Sequence, residues 1–203
     1  MKKDFVYLAS ASSRRRSLLE QIRVPFRVLP AAVCETRQPR ESPEEYVLRL
    51  ARAKADAVWG RLGGEEPGRA VLAADTAVVV GQQVLGKPDD TDTAMQMLAA
   101  LSGRTHTVLT AVALRCEARA LSRLTVSEVR FRATTAQERS AYCATGEPLD
   151  KAGGYAIQGC GAVFVEHIEG SYSSVMGLPL AETAEMLRDF GFPEWLQSGG
   201  AMA

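Results

Sequence analysis

The chain has 203 residues, enough for one α/β domain or two lobes around one cleft, and its 46% hydrophobic content excludes wholesale disorder. Its 24 lysines and arginines balance 24 aspartates and glutamates, which excludes a basic footprint for long nucleic acid but not a small anionic ligand. The four cysteines (Cys34, Cys116, Cys143, Cys160) form no CxxC pair, His106 and His167 are far apart, and no apolar run approaches membrane-spanning length. Reduced thiols, no zinc site, no N-terminal signal after Lys2-Lys3-Asp4, no membrane and a soluble cytoplasmic protein follow as expectations.

In chain order, Phe5 to Ala9 reads as a short buried strand, followed by a serine-rich turn and a helix from about Arg14. Phe26 to Leu29 reads as a second strand. Ser42 to Glu45 is a strong helix start, with Ser42 as N-cap, Pro43 at the first helical position and Glu45 closing a capping box. That helix is expected to run to about Trp59 with Tyr46, Leu50, Ala53 and Ala57 on one side. Tyr46, Trp59 and Tyr142 are read as core, and Gly60 to Gly68 as a loop.

Ala70 to Val80 is the most apolar stretch and reads as a central strand turning at Gly81-Gln82 into Val84-Leu85. A helix starts at Asp89 to Thr91 and ends near Leu101, at Ser102-Gly103. Thr107 to Leu114 and Leu121 to Arg132 follow as strands, with His106 anchoring a strand start. Thr135 and Glu138 form a second capping box, on a helix stopped by Gly146. Ala162 to Ile168 reads as a late strand, Pro179 to Phe190 as the last helix, and the tail as frayed.

Three polar motifs stand where a strand hands over to a loop or helix. Ser10 to Leu19 sets small residues and Arg14, Arg15 and Arg16 at a helix start, where free backbone N–H groups and guanidinium groups both suit phosphate. The alternative is that these arginines only solvate a helix end, although cations there oppose the macrodipole unless an anion is near. Asp75 interrupts the apolar strand, where an ionised carboxylate is costly unless paired or metal-bound. It is either a buried structural salt bridge or a group that binds a divalent metal or orients water. Lys87, between Gly86 and Pro88, is a candidate phosphate ligand. Asp150 to Gly159 combines Lys151 with Gly153, Gly154 and Gly159, and Gln158 is its one amide able to read a base edge. No Gly-x-Ser-x-Gly elbow exists, so serine nucleophile chemistry is not expected.

Together these residues resemble the Maf family of nucleoside triphosphate pyrophosphatases, first described as septum-formation proteins. The family pattern Ser-x-Ser-Pro-Arg-Arg-x-x-Leu-Leu is matched by Ser10, Ser12, Arg14, Arg15, Leu18 and Leu19, with Ser13 in place of the proline and Ala11 where glycine is common. Further matches are Glu35, Lys54, Asp75-Thr76, Lys87-Pro88, Gly103 with His106, Asp150 to Gly153, and Gly177 to Leu180. They span roughly residues 5 to 190 in family order. The family branch acting on dTTP and UTP looks like this chain at Arg14, Thr76 and Gln158, where the 7-methyl-GTP branch carries tryptophan, glutamine and glutamate.

The resemblance implies an α/β fold with a twisted mixed sheet and flanking helices in two lobes around a cleft, similar to inosine triphosphate pyrophosphatases. It implies a single domain over 1–203, with a flexible tail at 196–203, and chains paired as a homodimer. The implied reaction is hydrolysis of dTTP, UTP or a modified pyrimidine triphosphate to the monophosphate and pyrophosphate. Asp75 would be the general base or a metal-linked water positioner, with Glu35 helping to bind magnesium or manganese. Arg14, Arg15, Lys54, Lys87 and Lys151, with Ser10 and Ser12, would hold phosphates; Thr76 and Gln158 would read the base. The alternatives are a 7-methyl-GTP-type pyrophosphatase and a nucleotide-binding regulator of cell division.

Overall fold

A computed structural model of the chain describes residues 5–63, 69–117 and 119–192. The end of the Gly60 to Gly68 loop, the start of the chain and the tail 196–203 lie outside the described residues. In order, the elements are β1 (Val6–Leu8), α1 (Ser13–Gln21), β2 (Phe26–Val28), α2 (Pro43–Arg61), β3 (Ala70–Val80), β4 (Gln83–Leu85), α3 (Thr91–Leu101) and β5 (Thr105–Arg115). β6 (Ala120–Phe131), α4 (Ala136–Cys143), β7 (Val165–Glu169), α5 (Tyr172–Met176) and α6 (Leu180–Asp189) follow. Three short 3-10 turns, at Glu147–Asp150, Ala152–Gly154 and Cys160–Phe164, separate α4 from β7.

The strands form one mixed sheet in the order β2-β1-β3-β5-β6-β7, with β4 paired to β3. β1 runs parallel to both neighbours, with Tyr7 opposite Arg27 and Val71. β4 returns antiparallel on β3, Val84 opposite Val79, and β7 is antiparallel to β6 with an irregularity at Arg130/Phe131. The fold is therefore α/β, as the sequence suggested.

The chain divides into two compact units, residues 1–75, 111–124 and 177–203 in one and 76–110 and 125–176 in the other. In the first, α2 starts as its sequence dictates: Glu45 N donates to Ser42 Oγ at 3.1 Å, and Ser42 N donates to the Glu45 carboxylate at 2.9 Å. Such a cap is worth about 1 kcal/mol. The buried face of α2 is Val47, Leu50, Ala51, Ala55 and Val58. Tyr46, Ala53 and Ala57 are only partly buried, so the face read from the sequence was rotated. Tyr46 and Trp59 are likewise partly buried and do not belong to the core.

In the second unit, Val78, Leu85, Ala94, Leu98, Leu101, Val108 and Val129 build a core with Phe131, Tyr142, Tyr155 and Phe164. The aromatic rings meet edge-on, Phe131 to Tyr155 at 4.8 Å and Tyr142 to Phe164 at 5.2 Å between centroids. Gly153 adopts φ +71°, and an added Cβ would lie 2.9 Å from the Val78 side chain, so both backbone and space demand glycine. The α4 capping box of Thr135 and Glu138 forms as expected. The helix stops at Cys143, ahead of Gly146.

The late strand is the clearest structural correction. Residues 160–164 form a 3-10 turn, and the strand occupies Val165–Glu169. The apolar run from Gly161 to Phe164 gives no sign of this, because a carboxylate elsewhere in the unit captures the backbone N–H groups of Cys160 and Gly161 at its start.

Candidate active site

In the first unit, β1 delivers the chain to a serine-rich turn that opens α1. Ser12 is the N-cap and accepts from Arg15 N at 3.4 Å. Ser10 is buried, and its Oγ accepts from Ser12 N and from Arg15 Nη1, both at 3.2 Å. Arg15 Nε donates to the Gly177 carbonyl at 2.8 Å, which fixes the guanidinium. The first turn carries no acidic residue, so Arg14, Arg15 and Arg16 stand at the positive helix end without a carboxylate of that turn to balance them. Burial lowers the Arg15 guanidinium from its ordinary value, and the Asp75 charge opposes that shift.

Asp75 sits inside β3 and is 7% exposed. Lys54, from α2, places Nζ 2.6 Å from Asp75 Oδ1 and 2.6 Å from Glu35 Oε1, so one ammonium serves two carboxylates. Burial pushes the Asp75 carboxyl above its ordinary range; Lys54 and Arg15 pull it back, and Glu35 pushes it up again. A buried carboxylate of this kind is a better proton acceptor than a solvated one.

The loop carrying Glu35 is tied to α2 at several points. Tyr46 Oη donates to the Glu35 carbonyl at 2.9 Å, and Arg49 Nη2 donates to the Thr36 carbonyl at 3.1 Å. Arg49 also binds the buried Glu41 carboxylate with two nitrogens, Gln38 N adds a third bond at 3.0 Å, and Arg37 donates to the Glu41 carbonyl. These bonds, with Arg49 foremost, draw Glu41 down to about 2. Tyr46 is thus a polar tether, and with Arg49 it supplies the positioning that the sequence did not reveal.

The first unit therefore brings together Ser10, Ser12, Arg15, Glu35, Lys54 and Asp75, with Arg14 beside Arg15 on α1. Among the described residues, no group of three or more His, Cys, Asp or Glu side chains is placed to hold a metal. The two carboxylates that converge on Lys54 nevertheless suit a hard cation that takes one or two carboxylates and completes its shell with phosphate oxygens and water.

The second unit does not gather its candidates into one hydrogen-bonded cluster. Thr76 Oγ1 lies 3.1 Å from Thr110 Oγ1, and Thr110 donates on to the Ser174 carbonyl at 2.8 Å. Lys87 is exposed on the segment after β4, which is joined to the Lys151 segment by Gly153 N donating to the Gly86 carbonyl at 2.9 Å. Lys151 Nζ donates to the Glu147 carbonyl at 3.3 Å and contacts the Asp150 carboxylate. Gln158 is exposed at the tip of its loop.

Two features of this unit escaped the sequence. His106 is buried with Nε2 2.9 Å from Tyr155 Oη, and desolvation lowers the imidazole to about 4. Glu147 collects a hydroxyl and two backbone N–H groups on one carboxylate. Burial opposes its ionisation, but those hydrogen bonds outweigh it and leave the carboxyl below its ordinary value.

Comparison with known proteins agrees with the motif reading. A "dTTP/UTP pyrophosphatase" of Aromatoleum aromaticum is 52% identical over 93% of this chain and 96% of its own. The protein of the same name from Anaeromyxobacter dehalogenans is 54% identical over 92% and 94% of the two chains. A solved nucleoside-triphosphatase / dITP/XTP pyrophosphatase from Mycobacterium abscessus overlaps 64% of this chain and 74% of that one, at 18% identity and a TM-score of 0.37. The Maf-like protein family matches residues 5–190, nearly the whole chain, and to that family this chain belongs.

Proposed function

We propose that this protein is a nucleoside triphosphate pyrophosphatase that hydrolyses dTTP and UTP to the monophosphate and pyrophosphate. The carrying observation is Asp75, a carboxylate buried inside an apolar strand and raised by desolvation, with Lys54 at 2.6 Å and Arg15 fixed nearby. Relatives of about half-identical sequence, matched over nearly their whole length, carry the same activity in their names, which supports the reading.

In this reading water attacks the α-phosphorus, Asp75 accepts its proton, and the bond from that phosphorus to the α–β bridging oxygen breaks. General-base assistance of this kind contributes about 10²–10⁴-fold. Arg14, Arg15 and Lys54 meet the charge that grows on the leaving pyrophosphate, and Lys87 and Lys151 add to the same task. A divalent cation such as magnesium or manganese, held by Glu35 and Asp75, supplies further charge neutralisation when bound. Thr76 and Gln158 contact the base: a neutral amide donates to a pyrimidine carbonyl, where an ionised glutamate could only accept. We place the enzyme in the cytoplasm, in keeping with four free cysteines.

Phosphorus NMR of the products from dTTP and UTP with magnesium or manganese tests the assignment. Pyrophosphate and monophosphate are the expected products; stepwise release of orthophosphate would overturn α–β cleavage.

A further inference from the structure

Gln158 is exposed at the centre of a short loop whose two flanks are tied to the same pair of side chains. Upstream, Ala156 N donates to Tyr142 Oη at 3.1 Å. Downstream, Cys160 N donates to Glu147 Oε2 and Gly161 N to Glu147 Oε1, each at 3.0 Å. Tyr142 Oη closes the circuit by donating to Glu147 Oε1 at 2.7 Å. The glycines on either side of Cys160 make room for this arrangement. A Cβ at Gly159 would stand against the Glu147 carboxylate, and one at Gly161 would lie 2.8 Å from Tyr142 Oη. Glu147 also holds Lys151 through its carbonyl, at 3.3 Å.

Three donors converge here on one acid, and only an acceptor-only group satisfies them all. An amide in place of the carboxylate would turn an NH₂ toward at least one N–H that needs an acceptor. Tyr142 offers no relief, because its oxygen already accepts from Ala156. Glu147 has no part in the proposed chemistry, so this network is free to serve another end.

We propose that Glu147 is a positioning residue for base recognition, holding the 156–161 loop so that Gln158 is presented in one place. The proposal rests on the reading that Gln158 contacts the nucleobase. In it, selectivity for a pyrimidine with a 4-carbonyl, as in UTP, over the 4-amino pyrimidine of CTP is set by a pair of residues, one that contacts the base and one that never does.

The test compares kcat/KM for UTP and CTP in wild type, Glu147→Gln, Gln158→Ala and the double variant, alongside amide hydrogen exchange of residues 156–161. A merely destabilising change lowers both nucleotides equally, because the active fraction cancels in the ratio. The expected result is a UTP/CTP ratio reduced by about tenfold in each single variant and no further in the double, a loss typical of small misplacements of a contacting group. Exchange at Cys160 and Gly161 should accelerate at least about tenfold in Glu147→Gln. Tyr142→Phe, which keeps the ring, should move both readouts in the same direction if Glu147→Gln does not fold. A ratio lowered by Gln158→Ala but untouched by Glu147→Gln overturns the proposal. If Gln158→Ala itself leaves the ratio unchanged, the base-reading role fails and the proposal falls with it, whatever exchange at residues 156–161 shows about the hold of Glu147 on the loop.

Discussion

Asp75 and Glu147 are two carboxylates of one chain that the protein treats in opposite ways. Asp75, in the first unit, is surrounded by cations, yet burial dominates and its carboxyl is raised. Glu147, in the second, has neutral donors, and a hydroxyl with two backbone amides holds its carboxyl below the ordinary value. The difference lies in coordination. Glu147 has fixed donors spread over both of its oxygens, whereas Lys54 divides one ammonium between Asp75 and Glu35. A fully solvated or fully hydrogen-bonded carboxylate is inert toward protons near neutrality; an under-supplied buried one can accept them. In the proposed reading, one acid serves chemistry and the other construction.

The largest effect that would break this contrast is on Asp75. Asp75→Asn keeps the shape and removes the proton acceptor, so kcat should fall about 10²–10⁴-fold with the circular dichroism spectrum unchanged. Retention of more than about a tenth of wild-type kcat would end the general-base role. Next, Lys54→Met removes the cation that draws Asp75 down. Its kcat should fall about 10²–10³-fold, and the acid limb of residual kcat/KM should move to higher pH. A limb that stays in place would mean Lys54 does not tune Asp75.

A third test concerns a buried base instead of a buried acid. His106 titrates at about 4 in the folded chain against an ordinary 6.5, because burial excludes the charged form. As pH falls the unfolded chain takes the proton first, so this stability is full above about 6.5 and is lost between there and about 4. The loss should be on the order of 3 kcal/mol by the lower limit. Urea denaturation of wild type and His106→Gln across that window checks it: the wild-type curve should fall more steeply, and parallel curves would refute a neutral buried imidazole. The smallest effect sharpens the other half of the contrast. Tyr142→Phe should cost about 1 to 2 kcal/mol, since it strips a donor from Glu147 and leaves Ala156 N without its acceptor. Thermal unfolding of the variant measures it, and a change below about 0.5 kcal/mol would show that the network is slack.

Local signals were the most legible part of this fold. The caps at Ser42/Glu45 and Thr135/Glu138, the helix start at Asp89 to Thr91 and the run Ala70–Val80 carry their meaning within a few residues, and each stands where the sequence put it. Arg14, Arg15, Asp75, Lys87, Lys151 and Gln158 stood out by their own chemistry and motif resemblance added Glu35, Lys54 and Thr76; that one lysine holds both acids could not be read from positions 19 and 21 residues apart. Tyr46 illustrates the limit of periodicity, because a half-apolar ring at helical spacing counts as core until its hydroxyl is seen on the Glu35 carbonyl. The misplaced strand at 162–168 has the same origin. Apolar residues suggested extension, but Glu147, 13 and 14 residues upstream, holds the amides of Cys160 and Gly161 in a turn.

β3 carries one more consequence, which concerns the chain before it folds. Asp75 is the only charged residue among the eleven of Ala70–Val80, and the rest are apolar save Thr76. Without that charge the segment would be a long, sticky β-former, apt to join copies of itself on and off the ribosome. The acid proposed to take a proton from water thus also serves as a gatekeeper against aggregation. Asp75→Asn should refold in lower yield as protein concentration rises, even where the native fold is intact.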